Sequence, residues 1–189
     1  MPAHDPSASS RLVDALLAAH EILAAANIRH ALLGGIAANF YRREPRATRD
    51  VDFAVLATPA DVVTIVEAFR RKGWSPEVRT NKTEVLRLAR KDYPRVDILV
   101  AGTSFEESAL GRAAKIVVEG AEILVVTPED LVVYKLIAGR AQDYEAVAAI
   151  INTMGELDAA YIEGWLEQFG MSDRWARAKE EAARLAAEE

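Results

Sequence analysis

The stretch Asp50-Val51-Asp52-Phe53-Ala54-Val55 limits the fold more than any other part of the chain. Val51, Phe53 and Val55 recur at every second residue, the period of a strand with one face in a core. The same period places Asp50 and Asp52 together on the opposite face. Two carboxylates held that close repel each other, so a fold keeps the pair most readily when cations neutralise it. The chain is therefore expected to build a sheet with one apolar face and one polar face, which is either simply solvated or receives positive charge.

The flanking segments say what that sheet is made of. Leu12, Leu16, Ala19 and Leu23 follow helical spacing, so a helix capped by Ser9 or Ser10 is expected to run to a stop at Asn27. His30 to Leu33 reads as a short strand, Gly34-Gly35 as a break, and Ile36 to Tyr41 as a brief helix. A basic, proline-containing loop then leads to Arg49. Thr58-Pro59 and Thr127-Pro128 each look like a cap followed by proline at the first helical position, with stops near Gly73 and Gly139. Further strands are expected around Trp74 to Arg79, Glu84 to Ala89 and Arg95 to Val100, then a helix from Phe105 to about Arg112. Ile116 to Val118 and Ile123 to Val126 flank a hairpin turn, and the rest is helical with breaks near Gly155 and Gly170. Strands come first and helices last, which predicts an α+β fold. Residues 1–8 are read as a flexible lead-in, 9–127 as a mixed-sheet core flanked by helices, and 128–189 as a helical extension packed on that core.

Composition removes several function classes. The 189 residues contain no cysteine, which excludes disulfides, thiolate metal sites and thiol nucleophiles and fits a cytoplasmic protein. Apolar runs such as Leu131 to Ala138 are too short to span a bilayer, and no basic segment followed by an apolar one opens the sequence, so neither membrane insertion nor secretion is expected. The net charge is -6, yet residues 42 to 95 carry 13 Lys+Arg against 8 Asp+Glu. A basic stretch inside an acidic protein suits a local phosphate site better than a long polyanion groove. His4, His20 and His30 lack ligand spacing, and neither a Walker loop nor a Ser-His-Asp order is present.

The acids gain meaning from what surrounds them. Gly34 and Gly35, lacking Cβ atoms, let backbone N–H groups come close to phosphates. Asp97 is a single acid among apolar neighbours on a strand able to pair beside the first. Lys135 lies among Leu131, Val132, Val133, Tyr134, Leu136 and Ile137, where an ammonium is costly to bury without a partner. A triphosphate, or Asp50 and Asp52, is the partner expected for it. Asp143 reads more simply as a first-turn acid of the following helix than as a metal ligand.

In this order Gly34, Gly35, Asp50, Asp52 and Asp97 resemble the nucleotidyltransferase superfamily that shares its catalytic domain with DNA polymerase beta, over roughly Leu32 to Val100. A finer resemblance is to bacterial nucleotidyltransferases of the abortive-infection and type IV toxin–antitoxin kind. Arg46, Thr48, Asp50 and Asp52 match the loop before their acids. Pro128-Glu129-Asp130-Leu131, Lys135-Leu136, Gly139-Arg140 and Asp143 match a later helix, with Ala146 where a second acid often stands.

The resemblance implies Mg²⁺-dependent transfer of a nucleoside monophosphate from a nucleoside triphosphate to a hydroxyl. Asp50, Asp52 and Asp97 would hold two metal ions, and Asp97 would also take the proton of the attacking hydroxyl. Gly34, Gly35, Thr48, Arg46 and Lys135 would contact the nucleotide, with Asp143 a lesser candidate. It further implies an RNA end as acceptor and a cognate antitoxin as partner. Two other classes compete: a non-catalytic nucleotide- or partner-binding module, and an enzyme that modifies small molecules such as antibiotics.

Overall fold

The computed structural model describes residues 6–77 and 85–188. Helices and strands alternate in the order α1 (Pro6–Ala25), β1 (Arg29–Leu33), α2 (Gly34–Asn39), β2 (Asp50–Leu56), α3 (Pro59–Arg71), β3 (Ser75–Pro76), β4 (Val85–Ala89) and β5 (Arg95–Val100). They continue as α4 (Ser104–Arg112), β6 (Ala114–Val118), β7 (Ala121–Val125), α5 (Pro128–Ala138), α6 (Ala141–Met154), α7 (Ala159–Gln168) and α8 (Ser172–Ala186). The class is α+β, with one mixed seven-stranded sheet in the order β3-β4-β5-β2-β1-β7-β6.

The chain divides into two compact units. The first comprises residues 1–36 and 47–125 and contains the whole sheet; the second comprises 37–46 and 126–189. Residues 37–46, expected with the sheet core, thus group with the C-terminal helices.

In the first unit β2 runs antiparallel to β1 and parallel to β5, while β4 runs antiparallel to β5. Val51, Phe53 and Val55 are wholly buried. Each contributes roughly 1.5–3 kcal/mol by leaving water. The side of the sheet bearing Phe53 is covered by α1: His30 of β1 meets Phe53 edge-on at 5.4 Å and stands 5.0 Å from His20 of α1, ring centre to ring centre. Asn27 adopts a left-handed φ of 57°, which ends α1 as expected. That helix begins at Pro6 rather than at Ser9 or Ser10. Part of the lead-in, residues 1–5, lies outside the described residues, as do Val78, Arg79 and Glu84 of the expected strands.

Two local readings change. The glycine pair is the first turn of α2 itself and does not precede it. The hairpin turn is only Glu119-Gly120, both at positive φ, because Ala121 already pairs with Val118. A two-residue turn of that hand follows the twist of the strands it joins. Helix α4 adds a cap that went unread: the Thr103 side chain accepts from Glu106 N while the Glu106 carboxylate accepts from Thr103 N at 2.9 Å.

In the second unit α5 packs on α6 and α7, and α8 packs on α6 and α7. Thr127 caps α5 and Gly139 ends it at φ 64°. The Arg174 guanidinium of α8 closes that end by donating to Leu136 O and Ile137 O at 2.5 and 2.8 Å. Asp130, fully buried, accepts from the Tyr161 hydroxyl at 2.5 Å and from the Thr127 hydroxyl at 2.7 Å. The Tyr41 hydroxyl donates to Val126 O at 2.8 Å, and burial, helped by Glu129 and Asp130, pushes its pKa up to about 12.

No helix among the described residues is long and apolar enough to cross a membrane.

Candidate active site

Strand register assembles the site. Because β2 and β5 are parallel, Asp50 lies beside Arg95 and Asp52 beside Asp97; because β4 and β5 are antiparallel, Arg87 lies beside Asp97. Alternation along each strand then puts Asp50, Asp52, Arg95, Asp97 and Arg87 on one face. Three carboxylates and two guanidiniums gather there.

The ion pairs are close. Arg87 Nε donates to Asp97 Oδ1 and Oδ2 at 3.0 and 3.2 Å, and its Nη2 donates to Oδ2 at 3.0 Å. Hydrogen bonding to Asp97 holds the Arg87 guanidinium above its ordinary pKa. Arg95 Nη2 donates to Asp50 Oδ2 at 2.5 Å. Arg95 Nε stands 3.1 Å from Asp97 Oδ1, yet its N–H is not aligned with it and finds no hydrogen-bond acceptor among the described residues. That last contact is electrostatic only.

The glycines explain themselves by contact. Leu33, last residue of β1, pairs with Asp52, so the chain turns into α2 directly against that carboxylate. Gly34 has φ +70°, and a Cβ there would collide with the Asp52 side chain. A Cβ on Gly35 would stand 2.6 Å from Thr48 Oγ1. Any side chain at either position would push Asp52 or Thr48 aside, so glycine keeps both in place. Beside the start of β2 and β5 a cleft of about 310 Å³ is lined by Arg11, Leu12, Thr48, Arg49, Asp92, Tyr93 and Pro94.

Among the described residues no three His, Asp or Glu side chains stand together closely enough, as arranged, to hold a metal ion. The donor set is nevertheless of the right kind for a hard cation: carboxylate oxygens on adjoining strands, with Asp97 and Asp50 engaged by Arg87 and Arg95.

The remaining expected residues belong to the second unit. Lys135, expected to look to a triphosphate or to Asp50 and Asp52 for its partner, has Asp143 Oδ1 at 3.6 Å within its own unit. Asp143 is the third residue of α6: its Oδ2 accepts from Arg140 N at 3.2 Å and from Arg140 Nε at 2.7 Å. It is a first-turn acid of a capping box, as its position in the sequence suggests. Arg46 donates to Glu145 at 3.0 Å. Arg87 and Arg95 were missed because their only signal was membership of the basic stretch, although Arg95-Val96-Asp97 repeats the two-residue spacing of Asp50 and Asp52.

A family model described as "Nucleotidyl transferase of unknown function (DUF2204)" matches residues 12–175. The chain belongs to this family. Its fold is that of solved nucleotidyltransferases. The lincosamide antibiotic adenylyltransferase LnuA, lincomycin-bound, is 13% identical with a TM-score of 0.56, covering 72% of this chain and 94% of that one. ANT(2″)-Ia in complex with adenylyl-2″-tobramycin is 13% identical with a TM-score of 0.61, covering 86% and 98%. An antigenic nucleotidyltransferase-like protein from Paracoccidioides brasiliensis is 18% identical with a TM-score of 0.54, covering 76% and 77%. At these identities the likeness concerns the fold. No curated protein sequence matches the chain.

Proposed function

We propose that the protein transfers a nucleoside monophosphate from a nucleoside triphosphate to a hydroxyl acceptor. The observation that carries this reading is the pairing of Asp52 with Asp97 across β2 and β5, with Gly34 set against Asp52 where the backbone leaves β1.

In this reading Asp50, Asp52 and Asp97 are the residues that would hold Mg²⁺, two ions in all, whose chemistry is to neutralise phosphate charge and align an in-line displacement. The backbone at Gly34 and Gly35 and the Thr48 hydroxyl face the phosphates. Asp97 receives the proton of the attacking hydroxyl. Arg87 and Arg95 supply fixed positive charge to an anionic substrate.

The acceptor we favour is an RNA end, supported by the basic stretch from residue 42 to 95 and by the cleft with Arg11, Arg49 and Tyr93. The match of Arg46, Thr48, Asp50 and Asp52 to toxin-like relatives supports a cytoplasmic toxin with a cognate antitoxin, which a neighbouring gene for a small DNA-binding protein would test. A second reading, a binding module without turnover, is favoured by the arginines lodged on Asp50 and Asp97.

Incubation with each of the four labelled triphosphates, total RNA or small hydroxyl acceptors separates these. Label appearing on RNA and absent with Asp52→Asn is the expected result. No transfer from any nucleotide to any acceptor would leave the binding module.

A further inference from the structure

The five charged side chains on the β2, β5 and β4 face sum to a charge of only -1, because Arg87 and Arg95 offset two of the three acids. Asp97 has both oxygens engaged by Arg87, and Asp50 gives Oδ2 to Arg95. A guanidinium stays protonated at every working pH, so proton loss cannot open these contacts. Only a competing cation for the acids, or a competing anion for the arginines, opens them.

A free divalent cation competes poorly here. To reach Asp50 and Asp97 together it must approach two positive charges whose acids are partly screened from water: the side chains of Arg87 and Asp97 are 20% and 12% exposed. A phosphate competes well. Two oxygens of its tetrahedral group pair with the planar guanidinium fork, and Arg95 Nε–H has no acceptor among the described residues for it to give up.

We infer that Arg95, aided by Arg87, is a positioning residue that latches the carboxylates in the free protein and yields them to metal only when a phosphate-bearing substrate takes over its guanidinium. Metal and nucleotide then bind synergistically, and metal alone binds weakly. The inference rests on the metal-and-triphosphate reading above. A merely structural ion pair predicts the opposite sign: disrupting it would loosen the face and weaken metal binding.

The test is Mn²⁺ titration of the full chain, followed by electron paramagnetic resonance, without nucleotide and with a non-hydrolysable ATP analogue. Arg95→Gln should bind Mn²⁺ alone at least about tenfold more tightly than the unaltered protein, since one nearby positive charge has gone. Adding Asp52→Asn to Arg95→Gln should cancel that gain, which places the ion at this face. Equal or weaker Mn²⁺ binding by Arg95→Gln overturns the latch and leaves the proposed function standing. Absence of Mn²⁺ binding in every protein, even with the analogue, overturns the metal-and-triphosphate reading and the latch with it. If Arg95→Gln does not fold, Arg95→Met decides the matter: it also removes the charge while keeping an apolar stem of similar length, and Mn²⁺ affinity no higher than that of the unaltered protein overturns the inference.

Discussion

Asp97 in the sheet unit and Asp143 in the helical unit are both nearly buried carboxylates among cations, with side chains 12% and 2% exposed. They reach that state by different routes. Asp143 meets Arg140 three residues away as part of a helix cap, and its remaining partner, Lys135, comes from the helix just before. Its charge answers the backbone of α6 and one ammonium. Asp97 caps nothing. Its partners arrive through strand register, Arg87 from β4 and Arg95 from two residues earlier on β5, and Asp52 stands beside it. A carboxylate spent on a cap stabilises the fold, whereas one gathered with other acids on a sheet face costs repulsion that only a cation relieves.

Substituting one acid from each unit would break or confirm this contrast. The largest effect is expected from Asp52→Asn, which should lower nucleotidyl transfer by about a thousandfold. The melting temperature should hold or rise, since repulsion between acids is removed. Transfer assays and thermal melts on the same preparation decide it, and near-normal transfer would place Asp52 with the structural acids.

Asp143→Asn should show the reverse balance. It removes the negative charge that the Lys135 ammonium meets at 3.6 Å and weakens the α6 cap, at a cost of about 3 kcal/mol. Denaturant unfolding measures that loss. Combining it with Lys135→Met should recover part of it, because the two changes remove the two sides of one contact; strictly additive losses would show that the two side chains do not interact.

The smallest effect concerns acid pH and the helix–sheet packing of the first unit. The His30 Nδ1–H donates to Ile28 O at 2.7 Å, which in the neutral ring leaves Nε2 to accept from His20 Nδ1 at 2.8 Å. Burial lowers both pKa values from 6.5; Glu21 partly offsets this for His20, and the hydrogen bond to Ile28 for His30. A group whose folded-state pKa is depressed gives stability that is present above the unfolded value and lost as pH falls through the folded one. Unfolding free energy should therefore decline below about pH 6.5. His30→Gln should flatten that decline, and an unchanged pH slope would remove the histidine pair as its cause.

Much of this was legible because it is local. The caps at Thr58 and Thr127, the αL stops at Asn27 and Gly139, and the alternation over Asp50 to Val55 each depend on residues within one or two turns of chain. The carboxylate trio could be named for a related reason: a two-residue spacing fixes Asp50 and Asp52 on one face, and Asp97 sits on the strand that most readily pairs beside them. The start of α1 and the extent of the hairpin turn were less sharply marked, since flanking residues of either conformation satisfy the same pattern.

What Asp97 touches was decided elsewhere. Arg87 lies ten residues before it and Asp50 lies 45 residues before Arg95, and only the β4-β5-β2 order with its register brings them together. The same holds for Lys135: its apolar neighbours showed that it needed an anion, and tertiary packing sets Asp143 Oδ1 at 3.6 Å from it. Sequence by itself determined which residues carry charge, which face each strand presents and where the capped helices α3 and α5 begin, because those follow from backbone geometry over a few residues. Only the tertiary structure decided which charges neutralise which, because an ion pair depends on distance in space and register sets that distance.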